Sequence, residues 1–167
     1  MYVNLFGGPG SGKSTTALGV AYEMKKAGLR VELIPEFAKS MVWQDRTDVL
    51  EKEPWYVHAK QLHYLKSVED KVDWIITDSP SLLAAAYTGD LALQSFIYQE
   101  FKKASAINFL VRRVKPYQAY GRTQSEEEAR ALDVKIKNLL EWHRIGYWPV
   151  AGDDMAVQTI LHRLGIL

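Results

Sequence analysis

Residues 5–17 read LFGGPGSGKSTTA, and this run leaves the chain little choice of fold. The spacing Gly7-x-x-x-x-Gly12-Lys13-Ser14 is that of a phosphate-binding loop, or P-loop. In such a loop backbone N–H groups wrap the β- and γ-phosphates of a nucleotide, the lysine adds a point charge, and the serine hydroxyl is a ligand for Mg²⁺. The donor cradle here comprises Gly8, Pro9, Gly10, Ser11, Gly12, Lys13, Ser14 and Thr15, and the expected ligands are ATP and Mg²⁺. The loop works between a strand and a helix N-terminus, whose free N–H groups and dipole attract an anion. Both flanks are present: MYVNLF reads as a short apolar strand, and STTALGVAYEMKKAG as a helix with Ala17, Leu18, Ala21 and Met24 at helical spacing.

Strand and helix signals then alternate to the end of the 167 residues. This predicts an α/β protein of the P-loop NTPase fold: a five-stranded, mainly parallel sheet with helices on both faces. Gly28 stops the first helix and LRVELI (29–34) makes the second strand. PEFAKSMVW (35–43) is a short helix with Pro35 near its first position, and residues 54–70 form a longer one with Ala59, Leu62, Leu65 and Val68 on one side. VDWIITD (72–78) is the most apolar strand and is expected at the centre of the sheet. Helical material over 81–104 leads to the strand AINFLVRR (106–113), then to the polar stretch VKPYQAYGRTQ (114–124), read as a mobile loop. Ser125 and Glu128 form a capping-box signature for a helix with Leu132, Ile136, Leu139 and His143 on one face. GYWPV (146–150) is the fifth strand, AGDD a turn, and MAVQTILHRLGIL a closing helix. Without repeat or linker, one domain over 1–167 is expected, its lid being the loop at about 112–124.

Composition narrows the partners. With 47% apolar and 25% charged residues the chain is of ordinary globular make-up, and no apolar run approaches the length of a membrane span. The N-terminus enters a strand rather than a signal peptide, so a cytoplasmic protein without membrane contact is expected. Zero cysteines exclude disulfides and thiolate metal sites. A net charge of +1 gives no overall basic field for nonspecific nucleic-acid binding, although a local patch remains open.

Several residues fit phosphoryl transfer. Asp78 ends an apolar strand, where a P-loop protein places the second anchor of its Mg²⁺, so Ser14 and Asp78 are the expected metal ligands, the alternative for Asp78 being a simple strand cap. Ser79 and Pro80 follow, where many work-performing ATPases carry a water-activating glutamate. That favours transfer of the γ-phosphate to another molecule. Glu36, just past the second strand, falls at the carboxyl edge of the sheet, where ligands of open α/β folds bind. There it accepts a proton from an acceptor hydroxyl, or orients it, or serves only as an acidic residue in the first turn of a helix. Phe37, Trp43, Tyr56, Gln61 and Tyr64 either suit a planar base by stacking and paired hydrogen bonds or, as most aromatics do, belong to the core. Arg112, Arg113, Lys115 and Arg122 bracket the polar loop, which either closes its arginines over the transferring group, stabilising its charge and excluding water, or is only a solvated basic loop. Gly152 and Asp153, with Asp154, are placed to line the adenine by backbone contacts or to be only a turn. His58, His63, His143 and His162 have no metal-ligand spacing and read as structural or surface residues.

In this order LFGGPGSGKST, ELIPEFAK, ITDSP and GRTQSEEEAR resemble the ribosylnicotinamide-kinase-like P-loop family, whose small single-domain members are common in bacteriophage genomes. The similarity runs from about residue 1 to 154. The resemblance implies a nucleoside- or nucleotide-kinase-like fold with its lid after the fourth strand. It puts Lys13 and Ser14 on phosphate and Mg²⁺, Glu36 and Asp78 between the two substrates, and Arg112, Arg113 and Arg122 in the lid.

Three functions follow. The first is a kinase passing phosphate from ATP to a nucleoside or nucleoside monophosphate; the second is a kinase acting on nucleic acid, at a 5′ end or a hydroxymethylated base. The third is a binding switch or ATPase. The Asn-Lys-x-Asp guanine motif of a GTPase does not occur.

Overall fold

The computed structural model describes residues 1–167. Its five strands are β1 (Tyr2–Phe6), β2 (Val31–Ile34), β3 (Trp74–Thr77), β4 (Ala106–Arg112) and β5 (Trp148–Ala151). They form one sheet in the order β2-β3-β1-β4-β5, and every pairing is parallel. A wholly parallel sheet brings the carboxyl ends of all its strands to one edge. The P-loop, Glu36, Asp78, Arg113 and Gly152 all follow strand ends at that edge.

The helices are α1 (Lys13–Lys26), α2 (Phe37–Trp43), α3 (Thr47–Lys52), α4 (Pro54–Ser67), α5 (Leu91–Phe101), α6 (Glu126–Trp142) and α7 (Ala156–Arg163), with a 3-10 helix at Ser81–Ala86. On one side of the sheet Val3, Leu5 and Phe109 pack against Ala17, Val20 and Met24 of α1 and Ile160 and Leu161 of α7. On the other, Phe6 and Leu110 pack against Leu82, Ile97, Phe101, Ile136 and Leu140. Alternation along β1 sends Val3 and Leu5 one way and Phe6 the other, so this strand is buried along its whole length. In the register of β1 and β4, Asn4 faces Asn108 and donates to its amide oxygen at 3.0 Å; Asn108 in turn donates to the Gly146 carbonyl, so neither buried amide is stranded.

Several sequence expectations are corrected. The central strand is β1, not the more apolar β3, which lies between β2 and β1. Leu18 is 59% exposed, because the core-facing stripe of α1 runs through Ala17, Val20, Ala21 and Met24. The helix after β2 starts at Phe37, with Glu36 as an extended N-cap and Pro35 ahead of it. α3 is an additional helix, and the material over 81–104 divides at Asp90, whose carboxylate accepts from the N–H groups of Ala92 and Leu93. The inner face of α4 carries His58, Gln61 and Leu65, while Ala59 is exposed. His143 caps α6 and stacks on Tyr98 at 4.2 Å. The capping box of Ser125 and Glu128 forms as expected. No helix is long and apolar enough to cross a membrane.

Ile136 is fully buried where α6 meets the sheet. Ile136→Ala removes three buried carbons and is expected to cost about 2–5 kcal/mol of stability. Urea unfolding checks this through a lower midpoint with an unchanged slope.

Candidate active site

Glycine makes the P-loop possible: Gly7, Gly10 and Gly12 have φ of 145°, 76° and 105°, a region that side chains strongly disfavour. Gly12 is the N-cap of α1, so the helix dipole points into the loop. Lys13 is 8% exposed and curls back to donate to the Gly8 carbonyl at 2.9 Å. Burial lowers its pKa, and the nearby carboxylates of Glu36, Asp78 and Asp133 work against that shift.

Asp78, immediately after β3, accepts a hydrogen bond from the Ser14 hydroxyl through Oδ2, while its Oδ1 is buried without a partner. A hydroxyl and an under-used carboxylate in contact form a hard oxygen donor set, which fits Mg²⁺. Glu36 lies just past the end of β2 as the N-cap of α2, and its carboxylate makes no hydrogen bond or ion pair. Burial raises its pKa and Asp78 adds to the rise, against Lys13, Lys39 and Arg122, which stabilise the ionised form.

Lys13, Ser14 and Glu36 open onto a cleft of about 630 Å³. Its walls come from α2, α3 and α4 on one side, the 3-10 helix with Tyr87 and Thr88 on another, and Gly121–Gln124 of the loop after β4. That volume is in the range of small-molecule sites. The buried side-chain polar atoms that lack a hydrogen-bond partner are Ser11 Oγ, Asp78 Oδ1, Arg113 Nη1 and both ring nitrogens of His58. Each belongs to the P-loop, to its neighbours, or to a residue lining the cleft. Stranded polar groups concentrated in one place are a sign of ligand binding.

The arginines have three different situations. Arg122 lines the cleft, and its guanidinium donates to the Gln118 and Tyr120 carbonyls. Arg113 has a side chain only 5% exposed, donates to the Pro9 carbonyl at 2.7 Å and pairs with Asp133 at 3.0 Å. Arg112 is exposed and outside the cleft; its contribution is a backbone carbonyl that accepts from Gly152 N–H at 2.8 Å. The two arginines are therefore not equivalent: Arg113 is pinned to α6 and the P-loop, and Arg112 is not.

Of the five residues expected around a base, only Gln61 lines the cleft, and both ends of its amide are engaged: Oε1 accepts from Phe37 N–H at 2.8 Å and Nε2 donates to the Pro35 carbonyl at 3.2 Å. Phe37 packs edge-on against Tyr56 and Tyr64, each at 5.9 Å, in a cluster of its own. Trp43 covers the loop after β4, with its ring 5.0 Å from that of Tyr120 and against Gly121. Gly152 packs on the P-loop: a Cβ there would lie 2.1 Å from the Ser11 carbonyl oxygen. Asp153 is exposed and accepts from Met155 N–H at the entry to α7.

Two further residues belong to the site. His58, which has no metal-ligand spacing and reads from sequence as a structural or surface residue, is a buried wall of the cleft at 2% exposure. Asp133 carries no motif; its Oδ1 accepts from Gly8 N–H at 2.7 Å and its Oδ2 from Arg113. Its place on the inner side of α6, three residues before Ile136, was the available signal.

Gly152→Ala is expected to displace Ser11 and weaken nucleotide binding about tenfold or more, since a Cβ cannot stand 2.1 Å from a backbone oxygen. Titration with a fluorescent ATP analogue, beside a thermal melt, checks it.

Comparison with known proteins agrees with this fold. Two solved structures of a deoxyadenosine kinase from M. mycoides are similar in fold. One, with the products dCMP and dCDP, has a TM-score of 0.63 and 19% identity and covers 100% of both chains. The other, with bound dATP, has a TM-score of 0.65 and 18% identity, covering 99% of this chain and 100% of that one. No curated protein matches the chain in sequence. The family model described as AAA domain matches residues 2–156. With its five-stranded parallel sheet and its P-loop, the chain has the α/β P-loop NTPase fold and belongs to the AAA domain family.

Proposed function

We propose that this protein is an ATP-dependent kinase that transfers the γ-phosphate to a nucleoside or nucleoside monophosphate bound in the cleft. The observation that carries the reading is Glu36: a carboxylate without hydrogen bond or ion pair, beside Lys13, where the P-loop opens into about 630 Å³ of space. The cleft runs past the P-loop residues to walls from α2, α3 and α4, and that extension suits a second substrate rather than a single water. The likeness in fold to a deoxyadenosine kinase supports the same reading.

In this account the P-loop amides, Lys13 and Arg113 hold the triphosphate, and Ser14 and Asp78 would hold Mg²⁺. The metal, when bound, neutralises charge on the phosphate oxygens. Glu36 orients the acceptor hydroxyl and takes its proton as the hydroxyl oxygen bonds to the γ-phosphorus and ADP leaves. A free carboxylate at that point favours a hydroxyl acceptor over a phosphate, which is already ionised and is repelled by it. Arg122, in the lid, stabilises the charge of the transferring group and excludes water. The AAA domain description and the P-loop suit an ATPase as well. Ser79 and Pro80 after Asp78 weigh against it, because neither activates water.

Glu36→Gln is expected to lower kcat by about 10²-fold or more while leaving ATP affinity nearly unchanged. In the wild type, protonation of Glu36 removes the base, so activity falls as pH drops through a value raised above the usual carboxylate range. The variant should lack that acid limb. A pH profile of kcat for both proteins checks it; equal activity, or the same limb in both, takes Glu36 out of the reaction.

A further inference from the structure

Four groups from three separate segments close a ring around the mouth of the P-loop. Gly8 N–H donates to Asp133 Oδ1 at 2.7 Å, Arg113 Nε donates to Asp133 Oδ2 at 3.0 Å, and Arg113 Nη2 donates to the Pro9 carbonyl at 2.7 Å. The fit is close: a Cβ on Gly8 would stand 2.4 Å from Asp133 Oδ1 and 2.7 Å from the Ala129 carbonyl oxygen. Tyr117 covers the guanidinium, whose carbon lies 5.7 Å from the centre of the phenol ring.

The ring uses Nε and Nη2 of Arg113 and leaves Nη1 over. That nitrogen is buried, lacks a hydrogen-bond partner, and sits beside the loop, 3.1 Å from where a Cβ of Gly10 would be. A buried guanidinium donor with nothing to bind is costly, and its neighbour is the backbone that wraps phosphates. An anionic oxygen at the P-loop would satisfy it by a charge-assisted bond.

We infer that Asp133 is a positioning residue of the donor site: by gripping Gly8 and Arg113 with its two oxygens, it fixes Arg113 against the P-loop with Nη1 ready for a triphosphate oxygen. This deepens the kinase reading and rests on its assignment of the P-loop to a nucleoside triphosphate. Arg113 is thereby separated in role from Arg122. It is a fixed part of the donor cradle, held by α6, whereas Arg122 is bonded only within its own loop.

Asp133→Asn separates the two arms of the carboxylate. Asparagine keeps an oxygen for Gly8 N–H but presents an NH₂ to Arg113, losing the arginine arm together with the negative charge felt by Lys13. Binding of ATP is measured without acceptor in the wild type, D133N, R113Q and D133N/R113Q, with melting temperatures alongside. D133N and R113Q should each weaken ATP binding about tenfold or more, and the double variant should bind ATP within about twofold of R113Q. Adenosine, which has no phosphate, should compete equally with the wild type and R113Q.

D133N leaves a buried guanidinium unpaired and is the variant at risk of unfolding. The comparison of R113Q with D133N/R113Q contains no such charge and decides the matter alone. A double variant another tenfold weaker than R113Q, or wild-type ATP affinity in R113Q, overturns the inference. Failure of the kinase reading looks different: ATP binding follows the pattern above, yet no acceptor is ever phosphorylated.

Discussion

Lys13 holds an ammonium group under the P-loop at 8% exposure, against the Gly8 carbonyl at 2.9 Å. Withdrawing such an ion from water costs several kcal/mol even after relaxation. The surroundings of Lys13 are arranged to offset that cost. Glu36 at the end of β2, Asp78 at the end of β3 and Asp133 on α6 all contribute negative potential there. The parallel sheet, with α6 packed on one of its faces, brings these three carboxylates, distant in sequence, to one cation. The charge that is hard to bury is therefore also the charge that organises the site: Asp78 holds Ser14, Asp133 holds the loop and Arg113, and Glu36 alone remains without a partner.

The cleft continues this arrangement away from the P-loop. Gln61 spends its whole amide on the backbone of Pro35 and Phe37, which fixes the chain on both sides of Glu36. The carboxylate is thus held by its main chain rather than by a side-chain partner. A base needs that combination, since any strong partner of its own would compete for the proton or the hydroxyl. His58, one turn before Gln61 on the same face of α4, supplies the neighbouring wall, and burial lowers the pKa of its ring, favouring the neutral imidazole.

What the sequence revealed was mostly local. The P-loop, Asp78 at a strand end and the box of Ser125 and Glu128 depend on residues a few positions apart, so spacing alone identifies them. Long-range features were less readable. Apolar content did not place β3 correctly, because in a sheet covered on both faces strands beside the centre are buried as well as the central one, and burial does not rank them. Aromatic residues near Glu36 suggested a base site, yet helical phase turns Tyr56 and Tyr64 toward Phe37 and gives the cleft to His58 and Gln61. Asp133 could not be found from spacing, since its partners Gly8 and Arg113 are 125 and 20 positions away.

The destination of the γ-phosphate separates a kinase from the ATPase that the AAA domain family also allows. ATP labelled in its γ-phosphate is incubated with Mg²⁺, alone or with a panel of nucleosides and nucleoside monophosphates, and free phosphate and phosphorylated product are followed side by side. A kinase releases phosphate slowly from ATP alone, and with the right acceptor consumes ATP about 10²-fold faster or more, all of it appearing as labelled product. Rapid release of phosphate without acceptor, with no panel member labelled, would contradict the kinase reading.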